Sequence, residues 1–466
     1  MSPEEEKPPA EAGGAQSPPA GPNLPALASG PDPLDLFYAL YQIAGSPLSI
    51  PPILLSAFQG RFGGRWEERL GFPVSGLKKP LWLHAASAGE SGSALSLIRE
   101  LKKRRGSLNF VLSVSTPLGL AYAEADLKNS PIEDLRLLAP PLDFFWSPGR
   151  YLRRIDPQAL IVLETELWPG LVLKARKLGL PFMIAAGRVS KKSARRYRLI
   201  APVVKRMLAG ARLVAAAGEG DKERFLELGA RPERLFYLGN PKFDRLIAEA
   251  QRIDPAPSSL TPPFVVTAGS THPGEEEIIL GALLKARIAR ALGDLGPPPE
   301  IKLILAPRHV NRARELKELA EKNGFQAAIV EDPAVHPSAL PEVSVVNVMG
   351  RLPEFYARSD LALVGGSFVR RRGHNPLEPA AQGRAAVFGP DMSSFNEEAG
   401  YLMKRKAAKM VLPVNLPALF SHFLETPATA MKAGINALEA VRGMTPAAPR
   451  TAEAILNALD EEKARS

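Results

Sequence analysis

Residues 159–169 read A-L-I-V-L-E-T-E-L-W-P and set two carboxylates, Glu164 and Glu166, at the end of an apolar run. The run has the length and composition of a strand buried on both faces. An acid at the carboxyl end of such a strand stands where open α/β sheets receive ligands. Comparable runs end in polar residues elsewhere: L-W-L-H-A-A-S-A-G-E at 81–90, I-K-L-I-L-A-P-R-H at 301–309 and L-A-L-V-G-G-S-F at 361–368. Together they point to a site between two α/β sheets.

Each stretch offers a chemical role beside a plainer one. Glu90 opens a helix, where the macrodipole favours an acid; it is also placed to act as a general base on a hydroxyl. The motif alone does not decide between the two. His84, ending its strand, reads as a structural hydrogen-bonding residue rather than a metal ligand. Ser115 or Thr116 can cap a helix that has Pro117 at its first position. The stretch A-G-S-T-H-P-G-E-E-E at 268–277 carries three acids that would repel a phosphate, so it reads as a loop near the ligand. Arg308 offers a strand-end guanidinium to a phosphate or carboxylate. Met349 and Gly350 present backbone groups at a tight turn. In G-H-N-P-L-E-P at 373–379, Asn375 and Pro376 can start a helix with Glu378 in its first turn. Those amides could meet a phosphate while Glu378 accepts from ribose hydroxyls. The glycine fingerprint of dinucleotide-binding folds is missing, which counts against nicotinamide or flavin.

The elements that must position these groups alternate strand and helix. Strands are expected at 81–84, 110–115, 135–139, 159–163, 181–186, 213–217 and 236–239, with helices such as 91–104 and 170–178 between them. A proline-rich linker follows at 251–263, then strands at 264–268, 301–305, 343–347, 361–364 and 385–388. The pattern predicts an α/β protein of two Rossmann-like domains facing a cleft, at 61–250 and 264–445. A last helix near 451–463, within a terminal stretch 446–466, is expected to pack back across it. Residues 1–33, rich in Pro, Ala, Gly and Glu, read as a disordered tail. Residues 36–60 hold no charged residue, and Arg61, Arg65 and Arg69 follow. Segment 34–60 is therefore expected to touch a membrane surface, with its prolines arguing against one straight helix.

The 466 residues exceed one core. The absence of cysteine excludes disulfides, thiol nucleophiles and thiolate metal sites. A net charge of +10 suggests anionic partners, but no nucleic-acid-binding motif is present, so nucleic acid is not expected.

The motifs taken together resemble the bacterial 3-deoxy-D-manno-octulosonic acid (Kdo) transferases of lipid A biosynthesis, which have the GT-B fold. The matching pieces are R-W-E-E-R-L-G at 65–71, H-A-A-S-A-G-E at 84–90, S-T-P-L-G at 115–119, E-T-E-L-W-P at 164–169, S-A-R-R-Y at 193–197, G-N-P-K-F-D at 239–244, 268–277, P-R-H at 307–309, M-G at 349–350 and 373–379. The resemblance implies an inverting, metal-independent transfer of Kdo from CMP-Kdo to the 6′-hydroxyl of a lipid A precursor. It also implies an anchor on the anionic cytoplasmic face of the bacterial inner membrane. No cofactor beyond the donor is implied. By resemblance Glu90 is the catalytic base, Glu164 and Lys242 stabilise the transition state, and Pro307, Arg308, Met349, Gly350, Arg351, Asn375, Pro376, Leu377 and Glu378 hold CMP. Three departures stand out: Arg351 where the family usually has Glu, V-R-R-R at 369–372 in place of an apolar loop, and Pro241 in place of Leu. The competing readings are another GT-B sugar-nucleotide enzyme, such as a UDP-sugar transferase or epimerase, and an inactive membrane-surface binding protein.

Overall fold

A computed structural model describes residues 65–144, 146–254, 263–292 and 301–464. The expected tail 1–33, the segment 34–60 and most of the linker lie outside the described residues. Among the described residues there are two seven-stranded sheets, both wholly parallel. The first contains β1 (Leu81–Ala85), β2 (Phe110–Val114), β3 (Leu135–Leu138), β4 (Ala159–Leu163), β5 (Phe182–Gly187), β6 (Leu213–Ala216) and β7 (Leu235–Tyr237). The second contains β8 (Phe264–Thr271), β9 (Ile301–Pro307), β10 (Ala327–Val330), β11 (Val343–Val346), β12 (Leu361–Val364), β13 (Ala385–Phe388) and β14 (Ala408–Met410). This is the GT-B arrangement.

The strand order is β3-β2-β1-β4-β5-β6-β7 in the first sheet and β10-β11-β9-β8-β12-β13-β14 in the second. The chain reverses its direction of travel between β1 and β4, and again between β8 and β12. Ligands of open α/β sheets bind outside the carboxyl ends of strands at such points. The loops there begin with Ala86 and Glu164 in the first sheet and with Gly365 in the second. Two of the apolar runs that stood out in the sequence, 81–90 and 159–169, therefore flank one switch point, and 361–368 flanks the other.

Five helices matter for the site: α1 (Ala88–Arg104), α2 (Glu219–Glu227), α3 (Asp244–Arg252), α4 (Pro427–Arg442) and α5 (Ala447–Lys463). Helix α1 buries Ala94, Leu95, Leu97, Ile98 and Leu101, a helical-period stripe against β1, β2 and β4. Lys102, Lys103 and Arg104 fill its last turn, where the dipole favours cations. Helix α3 follows the first sheet yet packs in the second half, with Ile247 and Ala250 against Leu377, Leu402, Leu438 and Val441. Helix α5 makes the opposite crossing. Its Ala452, Ile455, Leu456 and Leu459 join the core of the first sheet, and Asp460 pairs with Arg105 at 2.6 Å. The Asp244 carboxylate accepts from the Ala447 and Ala448 amides at 2.8 and 2.7 Å, fastening the two crossings together.

The structure differs from the sequence expectations at three places. Strands β10 and β14 were not expected: both are short edge strands with half-exposed residues, A-A-I-V and A-K-M, too weakly patterned to read. Arg69 does not belong to a membrane-facing flank, being 4% exposed and donating to the Ser115 carbonyl at 3.1 Å. Arg65 is likewise engaged within the fold, donating to the Leu137 carbonyl at 2.8 Å. Among the described residues no helix is long and apolar enough to cross a membrane.

Candidate active site

A cleft of about 930 Å³ separates the halves. Ala88, Gly89, Gly92 and Ser93 of α1 line one wall, Lys242 and Arg245 line the junction, and Ser270, Pro307, Arg308, Met349, Gly350, Asn375, Glu378 and Phe395 line the other.

Ser87 and Glu90 form a capping pair at the start of α1. The Glu90 amide donates to Ser87 Oγ at 3.4 Å, and Ser87 Oγ donates to Glu90 Oε1 at 2.8 Å. The Ala86 amide donates to Glu90 Oε2 at 2.8 Å. The capping role is thus real, but it is not the whole account. Glu90 is 8% exposed, and burial pushes its carboxyl from 4.5 up to about 7, against the pull of the Ala86 amide and with a further push from Glu164. A carboxyl poised there can take a proton near neutral pH.

Glu164 follows β4 directly. Its amide donates to the Ala185 carbonyl at 2.9 Å, and its φ of 52° is left-handed, a conformation rare for a residue with a β-carbon. Such backbone strain clusters at functional sites. The Glu164 charge acts on both Glu90 and Lys242. Lys242 is fixed by Asn240, whose Oδ1 accepts from the Lys242 amide at 3.1 Å. Burial and the Arg188 charge lower its ammonium to about 8, while Glu398, Glu164 and Asp221 raise it. The Glu164 charge thus raises both the Glu90 carboxyl and the Lys242 ammonium, in each case as a smaller effect than burial.

In the second half Arg308 is exposed at the cleft wall, and its amide donates to the Thr271 carbonyl at 2.9 Å. Asn375 Oδ1 accepts from the Leu377 amide at 3.1 Å. The helix it starts, Leu377–Ala381, has five residues, so its dipole is small, and Arg308 and Arg245 add positive charge beside it. Burial pushes the Glu378 carboxyl up, opposed by Asn375 and by the Arg308 and Arg245 charges. Pro376 and Leu377 are buried, Leu377 inside a core cluster, which leaves only their backbone for a ligand. Arg351 does not line the cleft: its guanidinium donates to Glu354 at 2.9 and 2.7 Å.

Two of the acids at 275–277, Glu275 and Glu276, prove to be internal fasteners, while Glu277 is exposed. Glu275 accepts from the amides of His272, Gly366, Ser367 and Phe368, and Glu276 pairs with Arg312 at 2.8 Å. They fix the loops beside the donor wall without presenting charge to it. His84 is fully buried against Ser113 at 2.9 Å, and burial lowers it to about 4, as a core histidine. Sequence reasoning passed over Arg188, Arg245 and Phe395. Arg188 follows β5 and obeys the same strand-end rule that singled out Glu164 and Arg308. Phe395 carries no signal of that kind, because its place depends on how the halves meet. Among the described residues no group of three or more His, Asp or Glu is arranged to hold a metal ion.

Residues 64–245 match the family model described as 3-deoxy-D-manno-octulosonic-acid transferase (kdotransferase). The 3-deoxy-D-manno-octulosonic acid transferase of Haemophilus influenzae is 33% identical over 370 residues, which cover 78% of this chain and 83% of that protein. The enzyme of the same name from Bordetella pertussis is 30% identical over 352 residues, covering 73% and 79%. Among solved structures, UDP-GlcNAc 2-epimerase from Neisseria meningitidis superposes with a TM-score of 0.53 at 13% identity, over 81% of this chain and all of that one. That likeness is one of fold.

Proposed function

The chain belongs to the 3-deoxy-D-manno-octulosonic acid transferase family, and on that premise we propose that it transfers Kdo from CMP-Kdo to the 6′-hydroxyl of a lipid A precursor, with inversion. It is a glycosyltransferase of lipopolysaccharide core biosynthesis. The observation that supports the fuller reading is that Glu90 and Glu164 stand at the first sheet's switch point while Lys242 lines the cleft that Arg308 and Glu378 also line.

The division of labour follows from placement. The first half, with the base, takes the acceptor; the second, with Arg308, takes the donor. Ionised Glu90 removes the proton of the acceptor hydroxyl as its oxygen attacks the anomeric carbon. CMP leaves from the opposite face of the sugar, and the Arg308 guanidinium offsets the negative charge that stays on its phosphate. Lys242 places a second cation near the reacting centre, its charged form favoured by Glu398 and, less strongly, by Glu164. Glu378, half-buried beside Asn375, is suited to ribose hydroxyls. Pro307, Met349, Gly350 and the backbone of residues 375–377 complete the donor contacts.

The acceptor is an anionic amphiphile, so the enzyme works on the cytoplasmic face of the inner membrane. Segment 34–60 is one contact. A second is the helix Lys191–Arg198, where Lys191, Lys192, Arg195 and Arg196 are exposed beside Leu199, itself 85% exposed. Each cation near anionic lipid adds about 1 kcal/mol. The test of function is incubation with CMP-Kdo and lipid A precursor, read by mass spectrometry. A product heavier by one or more Kdo residues is expected, and no product would overturn the reading. Flotation with anionic liposomes should fall in a variant lacking residues 1–60 and fall further with Leu199→Glu. Undiminished flotation of both would rule out these surfaces.

A further inference from the structure

Lys242 follows the last strand of the first sheet, yet its ammonium also meets a ring from the second half. Its Nζ lies 4.6 Å from the ring centre of Phe243 and 4.8 Å from that of Phe395. Phe395 ends the loop 389–395 that follows β13, and this loop is bonded in two directions. Toward the donor wall, the Gly389 amide donates to Ser367 Oγ at 2.8 Å and the Asp391 amide to the Ser367 carbonyl at 3.1 Å. The Arg372 amide donates to Asp391 Oδ2 at 2.8 Å, and the Ser394 amide to the Arg372 carbonyl at 2.9 Å. Gly373, with φ of +67°, lies so close that a β-carbon there would collide with Asp391 and Met392. Toward the first half, Arg188 Nη2 donates to the Ser394 carbonyl at 3.1 Å. The Glu397 carboxylate accepts from the Gly220 amide at the start of α2. A β-carbon on Gly218 would collide with that carboxylate.

We propose that Phe395 is a positioning residue for Lys242, so that the placement of this ammonium depends on how the loop 366–375 beside the donor site is seated. The inference rests on the reading that Lys242 serves the transfer reaction. Two ring faces hold a cation by direction as well as by attraction, because their negative faces converge on it. One face belongs to each half, and the half that supplies the second ring also supplies the donor contacts. The V-R-R-R stretch at 369–372, set apart in the sequence by its basic residues, finds its place here. The Arg372 backbone links the donor loop to the loop bearing Phe395. The charged groups acting on Lys242 are Arg188, Glu164 and Asp221 from the first half and Glu398 from the second. Removal of the Phe395 ring admits water to Nζ. Burial is the largest cause of its depressed value, so the ammonium moves back from about 8 toward 10.5.

The test compares the full chain with Phe395→Ala and with Phe395→Tyr, which keeps the ring. Phe395→Ala is expected to lower kcat by about tenfold or more while the CMP dissociation constant from calorimetry changes by less than about threefold. Phe395→Tyr restores most of the rate. Labelling of Lys242 by an amine-reactive reagent at pH 8, read by peptide mass spectrometry, is slowed by CMP in the wild type and in Phe395→Tyr but not in Phe395→Ala. If Phe395→Ala does not fold, Phe395→Leu takes its place. Unchanged kcat in the ring-less variant overturns the proposal, as does CMP protection of Lys242 equal to that of the wild type. If the wild type makes no Kdo product, the functional reading fails on that result, while the labelling ratio still judges the role of Phe395.

Discussion

Replacing Glu90 by Gln separates its two roles, since Gln can still cap α1 but cannot ionise. The folded Glu90 carboxyl titrates at about 7, against 4.5 for an ordinary glutamate. Between those values the folded protein holds a proton that the unfolded chain has released. This contribution to stability is present below pH 4.5, is lost as pH rises to about 7, and changes no further above it. At roughly 1.4 kcal/mol for each tenfold difference, ionised Glu90 costs the fold about 3 kcal/mol at pH 8.5. The glutamine oxygen can accept from the Ala86 amide, and its nitrogen must then face Ser87 Oγ, a loss of about 1 kcal/mol at any pH. Glu90→Gln should therefore be about 2 kcal/mol more stable than the wild type at pH 8.5 and equal or slightly less stable at pH 5. Urea unfolding followed by tryptophan fluorescence at both pH values measures this. In the same variant turnover should fall roughly 10²–10⁴-fold. A stability change of the same sign and size at both pH values would show that the ionised carboxylate carries no burial cost, and the base assignment would lose its physical support.

Other outcomes follow from the same structure. The rate should rise with pH as Glu90 ionises near 7 and fall as Lys242 loses its proton near 8, giving a narrow bell; Lys242→Met should lower the rate and abolish the alkaline limb, and a limb that persists would exclude Lys242 as its source. Arg308→Ala removes a charged donor and should weaken CMP binding about 10–100-fold by calorimetry, whereas unchanged affinity would move the donor site elsewhere. Ile455→Ala, at a fully buried position in α5, should destabilise the first half by about 2–5 kcal/mol in denaturant unfolding. Asp244→Ala, which strips the cap from α5, should cost roughly 0.5–2 kcal/mol in the same experiment. Stability unchanged in both variants would mean that the last helix does not complete that core.

The sequence by itself determined the central strands of both sheets and the polar residues that follow them. A parallel strand buried on both faces must be apolar throughout, so A-L-I-V-L and L-A-L-V declare themselves without context. The polar residue that ends such a run stands at a ligand-facing edge, which is how Glu164, Glu90 and Arg308 could be named. Edge strands β10 and β14 stayed hidden because one side of an edge strand needs no apolar residue. Tertiary structure alone decided the rest. It turned Arg69 inward, where the Ser115 carbonyl was there to receive it. It spent Glu275 on four amides, so an acidic stretch carries little charge to the cleft. It gave Glu90 a value near 7, because the desolvation that sets a carboxyl's titration comes from whatever packs around it and not from its neighbours in the chain. And it brought Phe395 to Lys242, a meeting fixed by how two separately patterned sheets dock, for which no local period or spacing leaves a mark.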